Sequence, residues 1–378
     1  MRRFLNRFTL LFSAVVALLY CYLAARLTES LAARLLLALP FLLLWIVPLR
    51  YWGDRREQRG TLDEALHYAG YLAMGWLNFA LLLSLLRDGL LVLARGLSMF
   101  GSVLLLQDHG ATLVLGGSLA ALACGALVAL RGPRVKQVDI LVDDLPPGLQ
   151  DFRILQISDL HIGPTIGRRY VEDVVRRANA RQPDLVALTG DIVDGPVGRL
   201  AEAAASLAQL QPQGRVYFVP GNHEVYAGLR QWTAHFRDLG MQVLMNEHAL
   251  LEHRGARLLV GGVTDPSMVA LHQSLAPDAA RTAAPQAGPA FRLLLAHHPK
   301  LAVDAEAAGF DLQLSGHTHG GQFFPWTLAV RHIHAPHAAG LSRRGRLWVY
   351  VSVGTGSWGP PVRLGTRPEI SLLRLRRP

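Results

Sequence analysis

The first 136 residues hold four stretches that water cannot accommodate as exposed chain. Residues 8–27 (FTLLFSAVVALLYCYLAARL), 31–50, 66–86 and 111–130 (ATLVLGGSLAALACGALVAL) each approach the roughly 20 apolar residues that a helix needs to cross a bilayer. A bilayer offers the backbone no hydrogen-bond partner, so a helix that satisfies itself is the solution open to such segments. A buried bundle in a soluble protein is the alternative, and repeated uncharged runs of this length disfavour it. A cleaved leader accounts for the first run only, and Arg2-Arg3 read as flanking charge rather than as an export signal. Residues 89–106, apolar but interrupted by Arg95, fit an interfacial helix or a fifth span.

Charge supports a membrane and sets an orientation. Residues 1–136 carry 14 basic and 7 acidic side chains, against 24 and 21 in the remainder, so most of the net +10 flanks the apolar runs. With four spans, one side receives Arg2, Arg3, Arg7, Arg50, Arg55, Arg56, Arg59, Arg131, Arg134 and Lys136. The other receives Arg26, Arg34, Arg87 and Arg95. The positive-inside rule then places the N-terminus and everything after residue 136 in the cytoplasm, in a multi-pass protein of the cell (inner) membrane. One span more or fewer reverses that side. The second half has no basic stretch with interleaved aromatics, so no nucleic-acid partner is expected. Cys21 and Cys124 both lie in apolar runs, which excludes thiolate ligands from residues 137–378.

That second half alternates short apolar runs with helical patterns, an α/β arrangement. Residues 153–157 (RILQI), 184–189 (DLVALT), 216–219 (VYFV), 257–263, 291–296 (FRLLLA), 312–314 and 347–353 read as strands. Residues 170–181, 198–211 and 231–239 read as helices, and 277–290 as an exposed loop. Ligands in such sheets gather at the carboxyl ends of strands. Here five strands run into Asp159 and His161, into Asp191, into Asn222 and His223, into His297, and into His317 and His319. Singly, each is an ordinary turn residue or a hydrogen-bonded histidine. Independent turns have no reason to place carboxylate, amide and imidazole at every strand terminus, so a shared metal centre is the better reading. Such donors without thiolate suit Mn²⁺ first, with Fe or Zn²⁺ as alternatives. Seven candidates exceed one tetrahedral ion but fit two divalent ions sharing a carboxylate. Two ions about 3.5–4 Å apart can clamp the oxygens of an in-line phosphoryl displacement and supply hydroxide at neutral pH.

The ordered series SDLH, GD, GNHE, HHP and GHTHGGQ, closed by VSVGTGSWGPPVRLGTRPEI, resembles the calcineurin-like metallophosphoesterase superfamily, in its bacterial membrane-associated branch. The resemblance covers roughly residues 138–375. It implies a four-layered α/β/β/α sandwich with two mixed sheets over 137–378, preceded by the α-helical transmembrane region 1–136. It also implies that Asp159, His161 and His319 hold one metal, that Asn222, His297 and His317 hold the other, and that Asp191 bridges them. His223 would contact the phosphate and protonate the leaving oxygen. Val353 departs from the pattern, since relatives often carry a basic residue before that glycine. His298 is expected as an outer or solvent-facing neighbour. His332, His334 and His337 form a further cluster, with substrate contact or no role preferred over a third metal.

Function then follows as a membrane-anchored phosphoesterase or pyrophosphatase, with the bilayer and a lipid-linked phosphate ester as partners. Trp326, Trp358, Phe323 and Phe324, close to the catalytic loops, either meet that substrate or pack in the core. A phosphodiesterase for soluble nucleotides is one alternative. A transporter or sensor regulated by a ligand-binding phosphoesterase domain is another, disfavoured by the lack of charge deep in the spans.

Overall fold

The apolar runs fold as helices. The computed structural model describes residues 7–50, 60–283 and 291–378; of the arginines that set the orientation, Arg2, Arg3, Arg55, Arg56 and Arg59 lie outside them. The chain divides into two compact units, a helical one built mainly from residues up to Leu127 and an α/β one from Val128.

The helical unit comprises α1 (Arg7–Leu27), α2 (Leu31–Arg50), α3 (Thr61–Gly96), α4 (Phe100–Asp108) and α5 (Gly110–Leu130). Three of its segments are long and apolar enough to cross a membrane: Thr9–Leu27, Thr61–Gly96 and Gly110–Leu130. Leu31–Val47 forms a shorter apolar helix. At 1.5 Å per residue α3 is about 54 Å long, well beyond the stretch expected at 66–86. Residues 89–106 are divided between α3 and α4, because the backbone breaks at Ser98, whose φ is 53°. Val16, Leu23, Phe41, Leu77, Ala80 and Val114 pack inside this unit, while Leu11, Leu18, Leu36, Leu119 and Leu127 point outward and are exposed. A helix that is apolar all round suits lipid better than water. Asp88 in α3 accepts a hydrogen bond from the Tyr22 hydroxyl (2.9 Å) and pairs with Arg26 (3.0 Å) and Arg87 (3.4 Å). Charge is therefore present in these helices, but in compensated form.

The α/β unit builds two six-stranded mixed sheets. The first comprises β1 (Arg134–Leu141), β2 (Arg153–Ile157), β3 (Leu185–Thr189), β4 (Val216–Val219), β5 (Gln242–Val243) and β12 (Glu369–Arg376), in the order β1-β12-β2-β3-β4-β5. The second holds β6 (Glu247–His253), β7 (Ala256–Gly262), β8 (Phe291–Leu295), β9 (Leu312–Ser315), β10 (Gly340–Arg344) and β11 (Leu347–Val351), in the order β10-β11-β9-β8-β7-β6. Every residue of β3 is buried, as a central strand covered on both faces requires. Between the sheets lie Leu145, Phe152, Tyr217, Leu258, Leu293, Leu312 and Tyr350. The first sheet's outer face is covered by α6 (Arg168–Asn179), α7 (Val197–Ala204) and α8 (Asn222–Asp238), through Val171, Val174, Leu200, Trp232 and Phe236. The second is covered by α9 (Ala279–Thr282) and α10 (Ala302–Ala307), through Ala279, Ala302, Ala305 and neighbouring Phe310. The layers are thus α/β/β/α.

Two local expectations are corrected. The helix expected at 231–239 begins at Asn222, because the Glu224 carboxylate accepts the Gly221 N–H (2.7 Å) and caps it; a break at Gly228 (φ 113°) separates its two parts. The loop expected at 277–290 contains α9, with Ala279, Thr282 and Ala283 buried, while residues 284–290 lie outside the described residues.

Candidate metal centre

β2, β3 and β4 are parallel neighbours in one sheet, and β8 and β9 are parallel neighbours in the other. Their carboxyl ends deliver Asp159 and His161, Asp191, Asn222 and His223, His297, and His317 and His319. Five of these residues are forced into left-handed backbone: Asp159 (φ 52°), His161 (53°), Asp191 (53°), His317 (71°) and His319 (51°). Each costs about 1–2 kcal/mol in an L-residue. Two of the glycines beside them, Gly190 and Gly316, leave room that a Cβ would fill. A Cβ on Gly190 would lie 2.6 Å from the Gly221 nitrogen, and one on Gly316 would strike the Asp159 carboxylate.

The side chains converge in two groups. Ligand atoms of Asp159, His161 and His319 lie within 4.8 Å of one another, as do those of Asp191, His297 and His317. Asn222 joins the second, its Oδ1 3.2 Å from His317 Nδ1. Hydrogen bonds fix which atom of each residue faces inward. His297 Nδ1 donates to the Thr189 carbonyl (2.8 Å), leaving Nε2 3.1 Å from Asp191 Oδ2. Asp191 Oδ1 accepts the His223 N–H, and Asp159 Oδ1 accepts the His317 N–H, both at 2.8 Å. Asp159 Oδ2 is buried and, among the described residues, makes no hydrogen bond of good geometry. His161 Nε2 and His319 Nε2 face each other at 3.0 Å, close enough to share one proton, and His319 Nε2 also lies 3.5 Å from Asp159 Oδ1. A buried carboxylate and two imidazoles that converge on one point are a donor set that fits a cation.

The charges are tuned accordingly. Burial raises the Asp159 carboxyl; Asp191 is also buried, but His297 and His223 hold it well below the usual carboxylate range. Burial and the neighbouring His297 push His317 down to about 2, and burial with His161 and Arg363 pushes His319 well below its ordinary value. Both therefore stay neutral, with lone pairs available. Burial opposes the charge on His297, but Asp191 outweighs it and raises that imidazole well above its ordinary value.

A model of the calcineurin-like phosphoesterase family matches residues 152–321. An Aquifex aeolicus metallophosphoesterase is 33% identical over 245 residues, covering 64% of this chain and 92% of that one. The chain belongs to the calcineurin-like phosphoesterase family. Two vertebrate proteins described as a transmembrane protein with metallophosphoesterase domain are also similar. The Bos taurus protein is 37% identical (67% of this chain, 59% of that one) and the Danio rerio protein 35% (68% and 61%). The chain thus spans about three fifths of those relatives' length. The family works with two metal ions, and this calcineurin-like phosphoesterase brings together two donor groups of the kind that could hold them.

Three further residues of this phosphoesterase went unmarked in the sequence reading. Asp194 Oδ1 accepts from His223 Nδ1 (2.7 Å) and from His161 Nδ1 (2.8 Å), joining the candidate acid to a candidate ligand. Its spacing from Asp191, in GDIVD, was the available signal. Glu224, fully buried, accepts the N–H groups of Asp191 (2.9 Å), Ile192 (2.7 Å) and Val193 (3.3 Å) besides that of Gly221. Burial and Asp191 raise its pKa to about 7. Arg363 is fully buried, donating to the carbonyls of Val353 (2.6 Å), His319 (3.2 Å) and Gly356, with Nη2 3.2 Å from His319 Nδ1. It ties the GHTH loop to the loop where Val353 stands.

The other histidines are resolved in place. His298 stacks on His317 with ring centroids 4.3 Å apart, so it is a packed neighbour rather than a solvent-facing one. His334 lies 6.1 Å from His317, His332 is exposed, and His337 Nδ1 meets the Ser342 hydroxyl at 2.7 Å. These three do not converge, and no metal-holding group among the described residues includes them.

Proposed function

We propose that this protein is a membrane-anchored, dimetal-dependent phosphoesterase, with residues 1–136 as the anchor and 137–378 as the catalytic domain. The observation that carries this reading is the convergence of seven oxygen and nitrogen donors from five strand ends into two adjacent groups. Asp159, His161 and His319 would hold one ion, and Asn222, His297 and His317 the other, with Asp191 shared. Two bound divalent ions, Mn²⁺ by preference, would supply Lewis-acid charge and a water acidic enough to attack phosphorus at neutral pH.

The chain's own residues supply the rest. His223 donates Nδ1–H to Asp194, and its Nε2 lies 4.0 Å from Asp191 Oδ2, so this second nitrogen faces the reacting group. Burial alone would discharge the ring, but Asp191 and Asp194 outweigh it and raise its pKa to about 10. His223 therefore carries a proton at Nε2 at neutral pH, ready for the departing oxygen. Asp194 fixes the ring's orientation, and Arg363 and Glu224 hold the loops.

The anchoring region is far larger than tethering needs, which supports a substrate presented at the bilayer, such as a lipid-linked phosphate ester or pyrophosphate. A cytoplasmic catalytic domain rests on α2 crossing as a fourth span. Its apolar part, Leu31–Val47, is about 26 Å long, a few ångströms short of a hydrocarbon core, which local thinning of the bilayer can meet. The test uses the full chain in detergent with an aryl phosphate diester. Asp191→Asn should abolish metal-dependent hydrolysis, while His223→Ala should keep its metal and turn over more slowly, most of all for poor leaving groups. Unchanged turnover in Asp191→Asn, or metal loss in His223→Ala, would contradict these roles.

A further inference from the structure

The SGHTHGGQ segment ends on Gln322, which the metal groups do not use. Gln322 is buried, yet stands at the centre of a γ-turn (φ 57°, ψ −56°), closed by the Phe323 N–H on the Gly321 carbonyl (2.6 Å), a conformation that a non-glycine residue rarely adopts. Strain of this kind persists where the surroundings impose it. Here its side chain holds Trp358 through two hydrogen bonds. Gln322 Nε2 donates to the Trp358 carbonyl (2.9 Å), and Gln322 Oε1 accepts the Trp358 N–H (2.9 Å). Both backbone groups of Trp358 are thus clasped by one amide, anchored directly behind His319.

The clasped residue is exposed where burial would be expected. The Trp358 side chain stands edge-on to His223, ring centroids 6.0 Å apart, and the residue is 40% exposed. Tyr226 flanks the same imidazole at 5.7 Å and is 57% exposed. His223 is accordingly bordered by two large aromatic rings that are open to solvent, one of them fixed in place by a strained neighbour. With His223 as the acid, the leaving oxygen sits at its imidazole, and the group attached to that oxygen lies beside these rings.

We propose that Trp358 and Tyr226 form the leaving-group subsite and select a leaving group that carries a flat ring, such as an aryl alcohol or a nucleoside, with Gln322 as the residue that positions Trp358. This rests on the phosphoesterase reading and on His223 as its acid. Stacking of a ring on such side chains has a magnitude worth about tenfold or more in rate when it is made in the transition state.

The experiment compares methyl p-nitrophenyl phosphate with methyl trifluoroethyl phosphate, using the full chain in detergent. Each variant is normalised to wild type on the same substrate, so leaving-group acidity cancels. Trp358→Ala should lose about tenfold or more in kcat/KM on the aryl ester and little on the trifluoroethyl ester, with metal stoichiometry unchanged. Trp358→Phe should fall between, and carries the test if the alanine variant does not fold. Gln322→Leu should lower the same selectivity ratio in wild type but not in the Trp358→Ala background. Equal losses on both esters, or none, would overturn the subsite while leaving the phosphoesterase intact. A wild-type chain with bound metal that hydrolyses neither ester would overturn both.

Discussion

Asp194 is the residue on which two functions meet. Its one oxygen holds His161, a candidate metal ligand, and His223, the candidate acid. Cations bound against Asp191 would cancel much of that carboxylate's pull on His223, leaving Asp194 as the principal group that keeps the imidazole charged. Asp194→Asn should therefore lower the pKa of His223 and shift the basic limb of the kcat–pH profile to lower pH. Steady-state rates across pH 6–10 check this, and an unmoved limb with intact metal content would remove His223 from the role of acid. The sequence made the seven donors visible because each polar residue interrupts an apolar run where a strand ends. Asp194 and Arg363 were not visible for a different reason. Asp194 meets His161 across 33 residues and Arg363 meets His319 across 44, so the short spacing of Asp194 from Asp191 was the one local hint, and nothing beside Arg363 set it apart from surface charge.

The loops between elements are held by buried charge rather than by regular structure. Arg363 has no carboxylate within ion-pair distance among the described residues; three carbonyl oxygens from two loops surround its guanidinium instead. Burial lowers its pKa to about 10, which still leaves it charged at neutral pH. Arg363→Met would strand those carbonyls, at about 1–3 kcal/mol for each buried group left unsatisfied. We expect a lower melting temperature and weaker metal retention during dialysis, with Arg363→Lys intermediate because an ammonium lacks the planar fork. Melting curves and metal analysis after dialysis read both. Of the elements themselves, central strands such as β2 and β4 were legible to the residue because burial on both faces demands continuous apolar sequence. Edge strands β6 (EHALLEH) and β10 (GLSRR) were not, since half of an edge faces water and their composition matches that of a loop.

At the scale of the molecule, the helical unit is the larger unknown. Its outward leucines have no polar alternation, which suits lipid, and the α/β unit carries a catalytic face of its own. If the bilayer presents the substrate, the full chain in nanodiscs should cleave a lipid-linked nucleotide faster than any of a panel of soluble nucleotides, read by the products of both. Preference for the soluble nucleotides would make the membrane a location only.

The centre joins five left-handed residues, a buried carboxylate oxygen and converging imidazoles, a donor set that cations between them would stabilise. His297, protonated through its pairing with Asp191, must lose that proton to become a ligand, so metal affinity should fall as pH falls. The most direct measurement is a Mn²⁺ titration of chelator-stripped full-length protein at pH 7.5, reading bound metal and aryl diester hydrolysis together. Two equivalents bound per chain, with activity rising only as the pair fills, is the result expected. Hydrolysis that survives complete chelation, or saturation at fewer than two equivalents with full activity, would contradict a dimetal phosphoesterase.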